Sequence, residues 1–95
     1  MARDQFIKRN PLCIGCLAAF NDPVPTEVVD HVEPHKGDTA KFWNSELWQA
    51  SCDWHHKTVK AQLEALYAQG RAKLADLWLN SPRAIKLSLL LKRQG

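Results

Sequence analysis

Cys52-Asp53-Trp54-His55-His56 places one cysteine and two histidines within five residues, and Cys13-Ile14-Gly15-Cys16 places two more cysteines well upstream. Read together as C-x₂-C followed by C-x₂-H, the two clusters supply the four soft and borderline donors of a tetrahedral structural zinc. Either His55 or His56 is available as the fourth donor. The two-residue gap of Cys13–Cys16 recurs between Cys52 and His55, which favours His55. Four protein donors leave no open position on the ion, so a Zn²⁺ site of this kind is structural. His56 is then left beside it. With Asp30-His31, which lies between the clusters, it makes up a second and chemically different set.

The rest of the composition fits a small stapled domain. Ninety-five residues make one domain, and a core of that size is marginal enough that a metal is a common solution. All three cysteines lie in the two clusters, and three thiols cannot pair evenly as disulfides. Met1-Ala2-Arg3-Asp4-Gln5 leads into no long apolar run, so neither a secretory signal nor a membrane span is expected, and a reducing, cytoplasmic setting follows. The net charge of +3 conceals an asymmetry. Residues 1–52 sum to −2 and residues 53–95 to +5. The basic half begins with Lys57 and Lys60 and runs through Arg71, Lys73, Arg83, Lys86, Lys92 and Arg93. It suits a polyanionic partner, although on charge alone a solvated helix face is the simpler explanation.

Local signals place the motifs. Residues 3–9 read as a short helix ended by Asn10-Pro11, because the residue before proline avoids the helical region. Cys13–Cys16 reads as a zinc-knuckle turn in which Gly15 supplies backbone freedom. Thr26–Val32 is rich in β-branched residues between Pro25 and Pro34 and reads as a strand. Pro34–Asp38 is a turn, and Phe42-Trp43 an apolar patch. From Asp53 the spacing of Val59, Leu63, Leu66 and Tyr67 is helical, with Gly70 as the stop. Asp76–Leu79 is ambiguous. Ser81-Pro82 has the form of an N-cap and first-turn proline, opening a helix whose apolar positions are Ile85, Leu89 and Leu90. The domain core is expected over residues 6–70, with a helical extension over residues 71–95.

Asn10-Pro11-Leu12-Cys13-Ile14-Gly15-Cys16, Val29-Asp30-His31-Val32-Glu33-Pro34-His35-Lys36-Gly37-Asp38, Phe42-Trp43 and Trp48–Lys57 occur in an order that resembles the HNH endonuclease family, in particular its small phage and prophage members. The resemblance runs from about Phe6 to Leu66. It implies an α+β chain of the ββα-metal fold and metal-dependent hydrolysis of DNA. In that reading His31 is the general base, and Asp30 and His56 hold a catalytic Mg²⁺, Mn²⁺ or other divalent first-row ion. His35 and Asp38 match the same string and stand as possible orienting partners. The phage relatives also imply a large terminase as a possible partner.

The chemistry explains the residue types. Phosphodiester hydrolysis needs an activated water, which an imidazole with a pKa near working pH can deprotonate. It also needs charge stabilisation at the phosphate and the departing oxygen, which a divalent ion supplies. Adjacent strand residues point to opposite faces, so bringing Asp30 and His31 to one site calls for a turn or distortion at the strand end. The family's middle Asn falls at Leu47, where leucine offers no polar group. Asn44 and Gln49 are the nearby substitutes. A zinc-stabilised DNA-binding or partner-binding module that has lost turnover is therefore the alternative reading. Trp43, Trp48 and Trp54 flank these residues and are expected to pack the core or the zinc site, with base stacking as the competing use.

Overall fold

A computed structural model describes residues 2–92. The first helix, α1 (Ala2–Arg9), ends where expected, and Asn10 closes it with bonds to the Phe6 and Ile7 carbonyls. After the Cys13 corner comes α2 (Ile14–Phe20). The chain then forms β1 (Val28–His31), α3 (Thr39–Phe42), a short 3₁₀ turn (Ser45–Leu47) and β2 (Trp48–Ser51). A π-helical stretch (His55–Lys60) runs directly into α4 (Ala61–Ala68), and Gly70 at φ 71° takes the left-handed turn that stops it. A second 3₁₀ turn (Leu74–Leu77) leads to α5 (Pro82–Lys92). The Ser81 hydroxyl accepts the Ala84 N–H at 3.0 Å, so Ser81-Pro82 is an N-cap and first-turn proline as the sequence implied.

The architecture is a small α+β fold on a two-stranded antiparallel sheet. Register pairs Val28 with Ser51, Val29 with Ala50, Asp30 with Gln49 and His31 with Trp48. One sheet face looks toward the π-helical stretch and the Leu74–Leu77 turn. The other receives α1, whose Phe6 meets Trp48 edge-on at 5.8 Å. Val32, Val59, Leu63, Leu77, Leu79 and Ala84 form the apolar core. A second buried cluster gathers Cys13, Cys16 and Cys52, with Phe20, Val24 and Trp54 packed around it.

Several expectations change in detail. The Cys13–Cys16 segment is the start of a helix rather than a free knuckle turn, and Cys13 is its N-cap. Gly15 lies inside that helix, so backbone freedom is not its role. Trp48–Ser51 is a full strand, which its sequence did not announce. In α5 the buried positions are Ala84 and Ser88, while Leu89 and Leu90 are exposed. The apolar periodicity therefore misassigned the inner face of that helix. Residues 71–92 are also not peripheral, because Leu77, Leu79 and Ala84 belong to the core and α5 packs on α2. Of the basic stretch, Arg93 lies outside the described residues.

Candidate metal centre and adjoining cleft

Cys13, Cys16, Cys52 and His55 are all buried, and their donor atoms lie within 4.8 Å of one another. The His55 Nδ1 is 3.7 Å from the Cys13 sulfur, 3.3 Å from that of Cys16 and 3.5 Å from that of Cys52. The Cys16 and Cys52 sulfurs are 3.6 Å apart. With zinc–sulfur bonds of about 2.3 Å and zinc–nitrogen bonds of about 2.0 Å, a tetrahedron has sulfur–sulfur edges of about 3.8 Å and sulfur–nitrogen edges of about 3.5 Å. The cluster therefore has the dimensions and donor chemistry of a closed zinc site. Each half is organised alike: the Cys16 N–H points to the Cys13 sulfur and the His55 N–H to the Cys52 sulfur, both at 3.4 Å.

The surroundings fix the ligand tautomer. Ser88 donates its hydroxyl proton to the Ala84 carbonyl at 2.7 Å, so its oxygen accepts from His55 Nε2 at 3.1 Å. Nε2 carries the proton, and Nδ1 presents a lone pair to the three sulfurs. Gly15 packs against this imidazole. A β-carbon there would lie 2.6 Å from Nε2 and closer still to Cδ2, so the glycine provides room for the ring. Without a metal the thiols titrate unequally. Burial works to raise Cys13, but hydrogen bonding within the cluster, the Cys16 N–H included, brings it down to about 6. Burial and the Cys13 charge push Cys16 well above the usual thiol range, and burial pushes Cys52 up as well.

The second set gathers around Asp30, which is buried at the sheet's centre. His56 Nδ1 donates to Asp30 Oδ1 at 2.8 Å. The other carboxylate oxygen, Oδ2, accepts from Gln49 Nε2 at 2.8 Å and faces Lys60 Nζ at 3.0 Å. Gln49 is the cross-strand partner of Asp30. It also donates to the Leu77 carbonyl and accepts the Leu79 N–H, tying the sheet to the following 3₁₀ turn. Lys60 sits four residues after His56, so one helical face brings both to the same carboxylate. Its ammonium also donates to Glu64 Oε2 and to the His31 carbonyl, each at 2.7 Å.

His31 lies next to this set. Its Nε2 is 3.0 Å from the Phe42 carbonyl, which can only accept, so Nε2 bears the proton and Nδ1 is the free base. Trp48 Nε1 donates to the same carbonyl at 3.0 Å. The rings of Phe42 and His35 flank the imidazole at 4.8 and 5.1 Å. Asp30, His31, His35, His56 and Glu64 line one open cleft of about 360 Å³. The turn expected at the strand end is present: the strand is regular through His31, and the chain bends at the next two residues, Val32 and Glu33. The two residues meet one cleft because it opens at the end of the sheet.

The remaining sequence candidates separate. Gln49 reaches Asp30, whereas Asn44 caps its own 3₁₀ turn by accepting the Glu46 N–H. Asp38 caps α3 through the Lys41 N–H and orients no site residue. The His35 Nδ1 accepts the Gly37 N–H, leaving the proton on Nε2. Leu47 packs against the apolar core and bonds only through its backbone: its carbonyl receives the Val32 N–H and its N–H donates to the Asn44 carbonyl. Lys60 was counted with the basic surface but is 1% exposed. Its four-residue spacing from both His56 and Glu64 was the only available hint. Trp54 packs edge-on to His55 at 4.8 Å and Trp48 is buried, as expected of them. Trp43 is not packed away: it is 61% exposed.

The chain matches no family model, no curated protein and no solved structure. No helix among the described residues is long and apolar enough to cross a membrane.

Proposed function

We propose that this chain is an HNH endonuclease of the ββα-metal type that hydrolyses DNA phosphodiester bonds. The observation that carries the reading is the Asp30–His56 contact at 2.8 Å, made between strand and helix in the cleft that His31 also lines. Two cis donors on an octahedral ion with bonds of about 2.1 Å stand about 3.0 Å apart, so Asp30 Oδ1 and His56 Nδ1 fit a shared Mg²⁺ or Mn²⁺. Such an ion, when bound, neutralises charge on the phosphate and on the departing 3′ oxygen. Lys60 and Gln49 hold Oδ2, which leaves Oδ1 for that role. His31 takes the proton from water at Nδ1, because the Phe42 carbonyl keeps the other proton on Nε2 and fixes the ring. The Cys13, Cys16, Cys52 and His55 zinc site anchors the helix that carries His56.

Leu47 favours one competing reading, a zinc-stabilised DNA-binding or partner-binding module without turnover. Two features weigh against it: Gln49 supplies a polar partner to Asp30, and the Phe42 carbonyl orients His31 without any side-chain amide. A phage packaging setting, with a large terminase as partner, rests on the family resemblance alone. The test is a plasmid-nicking assay with added Mg²⁺ or Mn²⁺. Nicking by the wild type that His31→Ala lowers by several orders of magnitude is the expected result. Salt-sensitive DNA binding with no nicking in any divalent metal would establish the competing module.

A further inference from the structure

Trp43 stands on a ridge between two clefts. On one side is an apolar trough of about 390 Å³ whose walls include Arg3, Val29, His31, Phe42 and Trp48. On the other is a more polar cleft of about 430 Å³ bordered by Gln5, Arg9, Asn10 and Ser45. The indole is braced edge-on by Phe42, with ring centres 4.9 Å apart, and tilted against Trp48 at 6.5 Å. These contacts hold the ring in place while 61% of the residue remains exposed. A single exposed aromatic residue is ordinary on a protein surface. This one is oriented, borders an apolar trough, and has an arginine from α1 on each side.

We propose that the trough beside Trp43 is a nucleobase site that takes one unstacked base of single-stranded DNA. Three features select this occupant. An apolar trough lined by the rings of Phe42, Trp43 and Trp48 offers stacking faces to a base, whatever its identity. Arg3 and Arg9 flank the ridge, so the phosphates on either side of a stacked base meet a cation. His31 lines both the trough and the cleft of Asp30 and His56, so a strand with its phosphate in that cleft brings a neighbouring base to Trp43. Bases within a duplex are stacked on both faces and cannot present one to the indole. The substrate preference that follows is for frayed, gapped or single-stranded DNA.

The placement of the phosphate rests on the nuclease reading, but the base site is testable without turnover. The zinc-loaded protein, with no Mg²⁺ or Mn²⁺ added, is titrated with a short oligothymidylate, a hairpin duplex of equal charge, and a strand of abasic spacers. Tryptophan fluorescence and anisotropy report binding. Oligothymidylate is expected to quench the emission and to bind about tenfold tighter than the duplex or the abasic strand. Trp43→Ala should lose about that tenfold, while Trp43→Phe keeps most of it. Arg3→Gln should lower the salt dependence by about one phosphate contact. Equal binding of the base-bearing and abasic strands, or undiminished binding by Trp43→Ala, overturns the site. A protein that passes this test yet nicks nothing in added metal would retain the base site and lose the nuclease assignment.

Discussion

The Lys60 ammonium lies 3.0 Å from Asp30 Oδ2, and both side chains are 2% exposed. A buried lysine survives only with full partnership, and this one has it: Asp30, Glu64 and the His31 carbonyl use its three protons. The same ion pair holds half of the Asp30 carboxylate away from His56. It also ties the helix to the backbone of the residue proposed as general base. Lys60 is thus a positioning residue for both parts of the cleft.

Removing that ammonium leaves the buried Asp30 carboxylate without its lysine partner, held only by the Gln49 and His56 hydrogen bonds. Lys60→Met should destabilise the fold by about 3–5 kcal/mol, read as a drop in the denaturation midpoint. Combining it with Asp30→Asn should recover much of the loss, since the orphaned charge goes with it. If Lys60→Met alone is neutral, the pair contributes nothing net and the positioning role fails.

Much of this site was legible as a set of residue types and little of it as a set of contacts. Cys13, Cys16, Cys52 and His55 could be grouped by spacing, because a two-residue gap within a turn is itself a metal-ligand geometry. Asp30, His31 and His56 could be grouped as a second set of donors, but separate roles for them came only from the resemblance to HNH endonucleases. Lys60 could not be found, because lysine is counted as surface by default and its burial depends on where β1 lands against the helix. Trp48–Ser51 hid its strand for a related reason: all four residues are buried, so no alternation marks them. Gly15 looked like a turn residue and proved to be a space-keeping one. Only the position of the His55 ring reveals that.

Gly15 yields the clearest prediction for the metal centre. Gly15→Ala keeps all four ligands and raises helix propensity by about 1 kcal/mol, yet its methyl would overlap the His55 imidazole. The variant should lose zinc, or bind it at least about tenfold more weakly. Metal analysis of the purified protein, together with competition by a chromophoric chelator, measures this. Full zinc content at wild-type affinity would show that the ring can move aside.

The unequal thiols predict how the site loads. Between about pH 7 and the ordinary thiol range Cys13 is largely ionised, whereas Cys16 and Cys52 hold their protons. Zinc needs all three as thiolates, so binding at pH 7 should release about two protons, measurable by calorimetry in buffers of different ionisation enthalpy. In the metal-free protein the fold favours the Cys13 thiolate, a contribution present above its unfolded value and lost as pH falls through about 6. Cys16 and Cys52 are shifted the opposite way. Their contribution is present below their unfolded value and lost as pH rises beyond it. A release of three protons at pH 7 would contradict the lowered Cys13 value.

The motif Asn suggests a rescue experiment that the packing argues against. Leu47 is partly buried against the apolar core, so Leu47→Asn sets an amide against apolar neighbours and should cost roughly 2–3 kcal/mol. It should not raise nicking, because the polar work near Asp30 is already done from position 49. Gln49→Leu, in contrast, removes the bonds to Asp30, Leu77 and Leu79 at once. It should lower activity by at least about tenfold and also lower the unfolding temperature, whereas Gln49→Glu keeps the bond to the Leu79 N–H but sets a second carboxylate against Asp30. Nicking and thermal unfolding measured on the three variants separate the possibilities. If Leu47→Asn raises nicking severalfold and Gln49→Leu leaves it unchanged, the motif position governs catalysis here after all, and Gln49 serves only to join the sheet to the turn beyond it.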